Sequence, residues 1–121
     1  MFKKVAFTMY PVTDMARARR FYEETLGLGE AKVYGPEMWI EFDLPGGGCL
    51  ALTTYGEQTP SNAAGGTIAF EVEDIDALCA ELEGKGVTFA SDMIHSPVCR
   101  MRVIIDTEGN GILLHQLKPK G

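Results

Sequence analysis

Few side chains in this 121-residue sequence are equipped for chemistry near neutral pH: two histidines, His95 and His115, and three cysteines, Cys49, Cys79 and Cys99. A neutral imidazole serves as a general base or as a hydrogen-bond partner for a ligand, and His115 is open to either role or to a plain backbone contact in a half-buried position. Cys99 and His115 fall on extended runs joined by one hairpin, so they are candidate neighbours. An imidazolium or the Arg100 guanidinium beside Cys99 would lower its thiol pKa and make it a nucleophile; otherwise Cys99 packs as a small hydrophobe. Glu71, near a strand end, reads as a helper in proton transfer or as a solvated rim carboxylate. His95 precedes Ser96-Pro97 and is expected on an exposed loop. A metal site built from His95, Cys99, His115 and Glu41 or Glu71 would match no known ligand spacing, so no metal and no cofactor are expected.

The cysteines are odd in number and widely spaced, which fits neither a disulfide framework nor a Cys-x-x-Cys knuckle. Free thiols in a reducing, cytoplasmic compartment are the expectation. Trp39, between Met38 and Ile40, either stacks on a planar ligand or packs in a core or interface. Gly46-Gly47-Gly48 is not followed by a helix bearing Lys-Ser or Lys-Thr, so it reads as a hairpin turn and not a phosphate loop. Eleven basic and seventeen acidic residues give a net charge of -6, which repels a polyphosphate, and Arg17, Arg19 and Arg20 read as the solvated face of a helix. Nucleic acid is not expected as a partner. Neither is a membrane: no apolar run approaches the ~20 residues of a span, and residues 1–10 lack the core of a secretory signal.

These residues need a scaffold, and the length and ordinary composition suit one small domain. Lys4 to Tyr10 is β-compatible, Asp14 is a candidate N-cap, and Met15, Ala18, Phe21, Tyr22 and Leu26 recur at helical spacing before Gly27. Extended runs follow at residues 31–34, 38–44 and 49–54. Residues 56–65, rich in Gly, Pro, Ser, Asn and Ala, read as a linker. The order then returns: residues 67–72 extended, Asp74 as cap, Ile75, Leu78, Cys79 and Leu82 at helical spacing, Gly84-Lys85-Gly86, and three more runs at 87–90, 100–106 and 111–116. Residues 7–14 align over 67–74 without a gap, so modules 4–55 and 66–117 are expected to be an internal repeat within a single domain.

The segment Val12 to Leu28 (Val-Thr-Asp-Met-x-x-Ala-x-x-Phe-Tyr-x-x-x-Leu-Gly-Leu), the segment Val72 to Leu78, and the hairpin Asp106-Thr-Glu-Gly-Asn110 together resemble the glyoxalase/bleomycin-resistance/dioxygenase, or vicinal oxygen chelate, superfamily. The resemblance covers nearly the whole chain. It implies an α+β fold of two β-α-β-β-β modules that form curled, half-barrel mixed sheets with the helices on the outer face. It also implies divalent-metal ligands at Phe7, Ala51, Thr67 and Leu113, none of which is an imidazole, amide or carboxylate here.

If those positions face a cavity, strand alternation adds Met9 to Phe7, Cys49 and Thr53 to Ala51, Ala69 and Glu71 to Thr67, and His115 to Leu113. Ile68, Phe70, Val72, Leu50 and Leu52 then lie beneath the helices. The hollow is mostly apolar and suits a small organic ligand held by Phe7, Met9, Trp39, Glu41, Ala51, Thr53, Thr67, Arg100 and Leu113. Two functions follow. One is a metal-independent protein that sequesters a small molecule, like the bleomycin-resistance branch. The other is a glyoxalase-like lyase, isomerase or dioxygenase-related enzyme using His115 with Glu71, Glu41 or Cys99, or a displaced metal site. The resemblance further implies a homodimer.

Overall fold

The computed structural model describes residues 4–56 and 58–119. Two short polar side chains start its helices. Asp14 is extended, and its carboxylate accepts the Arg17 amide at 3.0 Å; Asp74 does the same for Ala77 at 3.0 Å. Each satisfies an amide that the first turn leaves without a partner. Helix α1 runs Met15–Arg20 and α2 runs Ile75–Gly84.

The single helix expected from Asp14 to Gly27 changes its winding part-way. Phe21–Thr25 forms a π-helical turn, with the Leu26 amide donating to the Phe21 carbonyl at 2.9 Å. Its wider turn lets the consecutive residues Phe21 and Tyr22 both bury, and the Tyr22 ring lies 5.9 Å from that of Phe42. Gly27, at φ +70, follows in the left-handed conformation expected of it.

Two open mixed sheets carry these helices, neither closed into a barrel. The first joins β1 (Thr8–Pro11), β2 (Lys32–Tyr34), β3 (Trp39–Asp43) and β4 (Cys49–Thr53) in the order β1-β4-β3-β2. The second joins β5 (Ile68–Glu71), β6 (Thr88–Phe89), β8 (Cys99–Ile105) and β9 (Gly111–Leu117) in the order β5-β9-β8-β6, with β7 (Ile94–His95) also on β8. In each sheet the first strand runs parallel to the last and the other pairs are antiparallel. The architecture is α+β. The chain divides into two compact units between Pro60 and Ser61.

Alternation along the strands sorts each sheet into two faces. In the first unit, Ile40, Phe42, Leu50 and Leu52 share the face under α1 and the π turn, each at most 1% exposed. In the second, Ile104, Ile112 and Leu114 lie under Ile75, Cys79 and Leu82 of α2. The start of α2 is also tied to its sheet, since the Ile75 amide donates to Gln116 Oε1 at 2.7 Å. The turn between β8 and β9 is held from within. Buried Asp106 accepts the Glu108 and Asn110 amides through Oδ1, and Asn110 Oδ1 accepts the Ser61 amide at 3.1 Å. No helix among the described residues is long and apolar enough to cross a membrane.

Candidate functional site

The opposite face of each sheet, which no helix covers, holds most of the candidate residues. In the first unit the register sets Met9, Ala51 and Glu41 in one row and Pro11, Thr53 and Trp39 in the next. Phe7 precedes β1 on the same parity, and its ring lies 5.1 Å from that of Trp39 at 49°. Glu41, two residues beyond Trp39 and therefore on its side of β3, accepts the indole N–H at 2.8 Å through Oε2. Its other oxygen faces the Cys49 thiol at 3.6 Å. Burial, followed by the charges of Glu41 and Asp43, pushes that thiol up to about 11.

The sequence-derived set Phe7, Met9, Trp39, Glu41, Ala51 and Thr53 thus shares one face, in two layers. Ala51 and Thr53 form its floor, fully buried. The Thr53 hydroxyl donates to the Met38 carbonyl at 3.0 Å and accepts the Tyr55 amide. They shape the surface rather than meet solvent. Phe7 and Met9 remain 38% and 40% exposed. Two neighbours escaped the sequence reading: Lys32, which pairs with Asp43 at 2.6 Å, and Tyr34, opposite Trp39. The alternation of apolar Ala31 and Val33 with Lys32 was the available signal for the parity of β2.

In the second unit Glu71 and His115 are direct register partners across the parallel β5–β9 seam. Glu71 Oε1 lies 2.5 Å from His115 Nδ1, and Oε2 accepts the Leu117 amide at 2.9 Å. The amide first, and the imidazole second, hold the Glu71 carboxyl below its ordinary range. Leu113 opposes Ala69 one row away. Thr67 is exposed and precedes β5.

Three expectations for this unit need correction. Cys99 opposes Leu117 and Met101 opposes His115, so Cys99 is only a diagonal neighbour of the imidazole. The buried thiol sits 3.1 Å from Ser96 Oγ, in the position of a packed small hydrophobe. Arg100 is the next residue on β8, so its side chain emerges on the helix-covered face; there it pairs with Asp76 at 2.9 Å and does not flank the thiol. His95 is not in a loop but in β7, opposite Arg100, although it is exposed as expected.

The metal positions implied by the resemblance offer a phenyl ring at Phe7, a buried methyl at Ala51, a hydroxyl at Thr67 and an isobutyl group at Leu113. That donor set does not fit a divalent ion. Among the described residues, no three His, Cys, Asp or Glu are grouped to hold one.

Two open mixed sheets, each with its first strand parallel to its last and one face under a helix, define a class of small α+β proteins. The chain belongs to the Glyoxalase/Bleomycin resistance protein/Dioxygenase superfamily, whose family model matches residues 4–114. It is similar to TnmS3, an antibiotic binding protein from Streptomyces sp. CB03234, with 27% identity and a TM-score of 0.81 over 97% of this chain and 98% of that one. A glyoxalase/bleomycin resistance protein from the same Streptomyces shares 29% identity, with a TM-score of 0.73 over 89% of this chain and 96% of that one. A superfamily member from Sphaerobacter thermophilus DSM 20745 shares 27%, with a TM-score of 0.78 over 95% and 98%. No curated protein matches the sequence.

Proposed function

We propose that the protein binds a small, planar organic molecule on the helix-free face of its first sheet, with Trp39 as the stacking surface. The carrying observation is the fixed indole: Glu41 holds its N–H at 2.8 Å while Phe7 packs against the ring. A pinned aromatic surface loses little freedom when a flat ligand lands on it, which favours binding. Partly exposed Phe7, Met9 and Tyr34 add apolar contact, and buried Ala51 and Thr53 keep the floor rigid. The similarity to an antibiotic binding protein supports the same class of ligand. Binding on this face needs no metal. A homodimer located in the cytoplasm belongs to the same proposal, and sedimentation of the purified protein tests the pairing.

Trp39 is the sole tryptophan, so its fluorescence reports on the face directly. Titration with bleomycin and with planar polycyclic aromatic compounds is expected to give saturable quenching for at least one of them. Trp39→Phe should weaken that binding by about tenfold, measured by calorimetry, equivalent to ~1.4 kcal/mol. Unquenched Trp39 across both compound classes would sink the reading.

A further inference from the structure

The second sheet carries a pair that ligand stacking on Trp39 does not use. Glu71 and His115 face each other across a seam that the backbone also fixes, since the Val72 amide donates to the His115 carbonyl at 2.8 Å. Both Glu71 oxygens are committed, one to His115 and one to the Leu117 amide. An ionised carboxylate only accepts hydrogen bonds, so the hydrogen between the two groups belongs to Nδ1. In the neutral ring the lone pair then lies on Nε2, and among the described residues Nε2 meets no other polar partner.

The imidazole is three-quarters covered, with 25% of its side chain exposed. The register surrounds it with Ala69, Met101, Leu113 and Leu117 on the same face. A carboxylate that orients an imidazole and leaves its far nitrogen open on an apolar surface is the arrangement of a general base.

We infer that Glu71 and His115 form a proton-abstracting site for a small, largely apolar weak acid. The bond from the acidic atom to hydrogen breaks, its electron pair stays on that atom, and an N–H bond forms at Nε2. His115 is the base. Glu71 is a positioning residue that fixes the tautomer and stabilises the resulting imidazolium without taking the proton. Cys99 and Arg100 play no part, the first being held by Ser96 and the second lying on the other face.

The probe is 5-nitrobenzisoxazole, an apolar carbon acid. Its C–H proton passes to Nε2, the C–H electron pair stays on carbon as the new third C–N bond of a nitrile, and the N–O bond opens with its pair leaving on a coloured phenolate oxygen. The intact protein should convert it, His115→Gln should lower the rate at least ~10-fold, and Glu71→Gln should lower it by a similar factor. Melting curves establish that both variants are folded. The second readout is the nitrogen-15 spectrum of the His115 ring. Wild type should show the neutral ring protonated at Nδ1, and a folded Glu71→Ala, which leaves no acceptor facing Nδ1, should lose that preference. A rate that His115→Gln leaves within twofold, no rate above that variant's background, or a wild-type ring protonated at Nε2 each overturns the inference. The ring spectrum needs no ligand on Trp39, so failure of this site and failure of the stacking site are seen separately.

Discussion

Phe7 and Trp39 meet at 5.1 Å between ring centroids, 49° from parallel, so the residue just ahead of β1 braces the indole on β3. Phe7→Ala removes that brace and admits water to one side of the ring. Trp39 emission should shift to longer wavelength. The stability loss should stay below ~3 kcal/mol, the lower end for burying a full phenyl ring, because Phe7 is already 38% exposed. An unchanged emission maximum would contradict the contact.

Cys49 should be a poor nucleophile. Its thiol titrates at about 11, raised by burial and then by Glu41, whereas a free cysteine ionises near 8.5. At pH 8.5 its alkylation by iodoacetamide should be roughly a hundredfold slower than that of free cysteine. Glu41→Gln removes one of the opposing charges and should speed it. Mass mapping of the three alkylated cysteines against time measures both effects.

Glu23 links the π turn to the start of β2. It accepts the Ala31 amide at 2.8 Å and the Arg19 guanidinium at 3.0 Å, and these contacts, the amide foremost, hold its carboxyl below the usual range. A depressed folded pKa adds stability that is complete above the unfolded value and disappears as pH falls through the folded one. The wild-type melting temperature should therefore drop as pH falls below about 4.3, the ordinary glutamate value. In Glu23→Gln it should start lower near neutrality and fall less steeply in acid. Parallel melting curves at pH 7 and pH 3 distinguish the two.

The two helix caps give a matched pair of variants. Asp74→Ala and Asp14→Ala each strand one amide of a first turn and should cost ~1 kcal/mol by urea unfolding. Asp74→Asn should recover most of its loss, because an amide oxygen still accepts from Ala77. An asparagine no better than alanine would show that charge, not capping, is the cause.

The caps, Gly27 and the apolar alternation were legible in the sequence because each is a local signal. Asp14 and Asp74 precede helical spacing, and Leu50 and Leu52 keep strand parity. The π turn was not legible, since Phe21, Tyr22 and Leu26 satisfy the apolar stripe under either winding. Strand β7 was hidden by its length and by Pro97, which in the structure occupies the turn before β8. Strand parity put Glu71 and His115 each on the cavity-facing side but did not pair them, because the parallel register that sets them opposite each other and the Leu117 amide that occupies the second carboxylate oxygen belong to the backbone and have no residue-type signature. The side chain of Arg100 was misplaced for one reason: Cys99 and Arg100 are consecutive on β8, and consecutive residues cannot share a face.

The parallel seams β1–β4 and β5–β9 also set the order of events during synthesis. In each unit the first strand has no neighbour in its sheet until the last strand emerges, and Glu71 waits for His115, forty-four positions later. The helix and hairpins between them can form early, but the seam is a late, long-range closure. Until then β5 has an unpaired edge and an exposed apolar side, which is where a nascent chain of this protein is most open to chaperones or to another copy of itself.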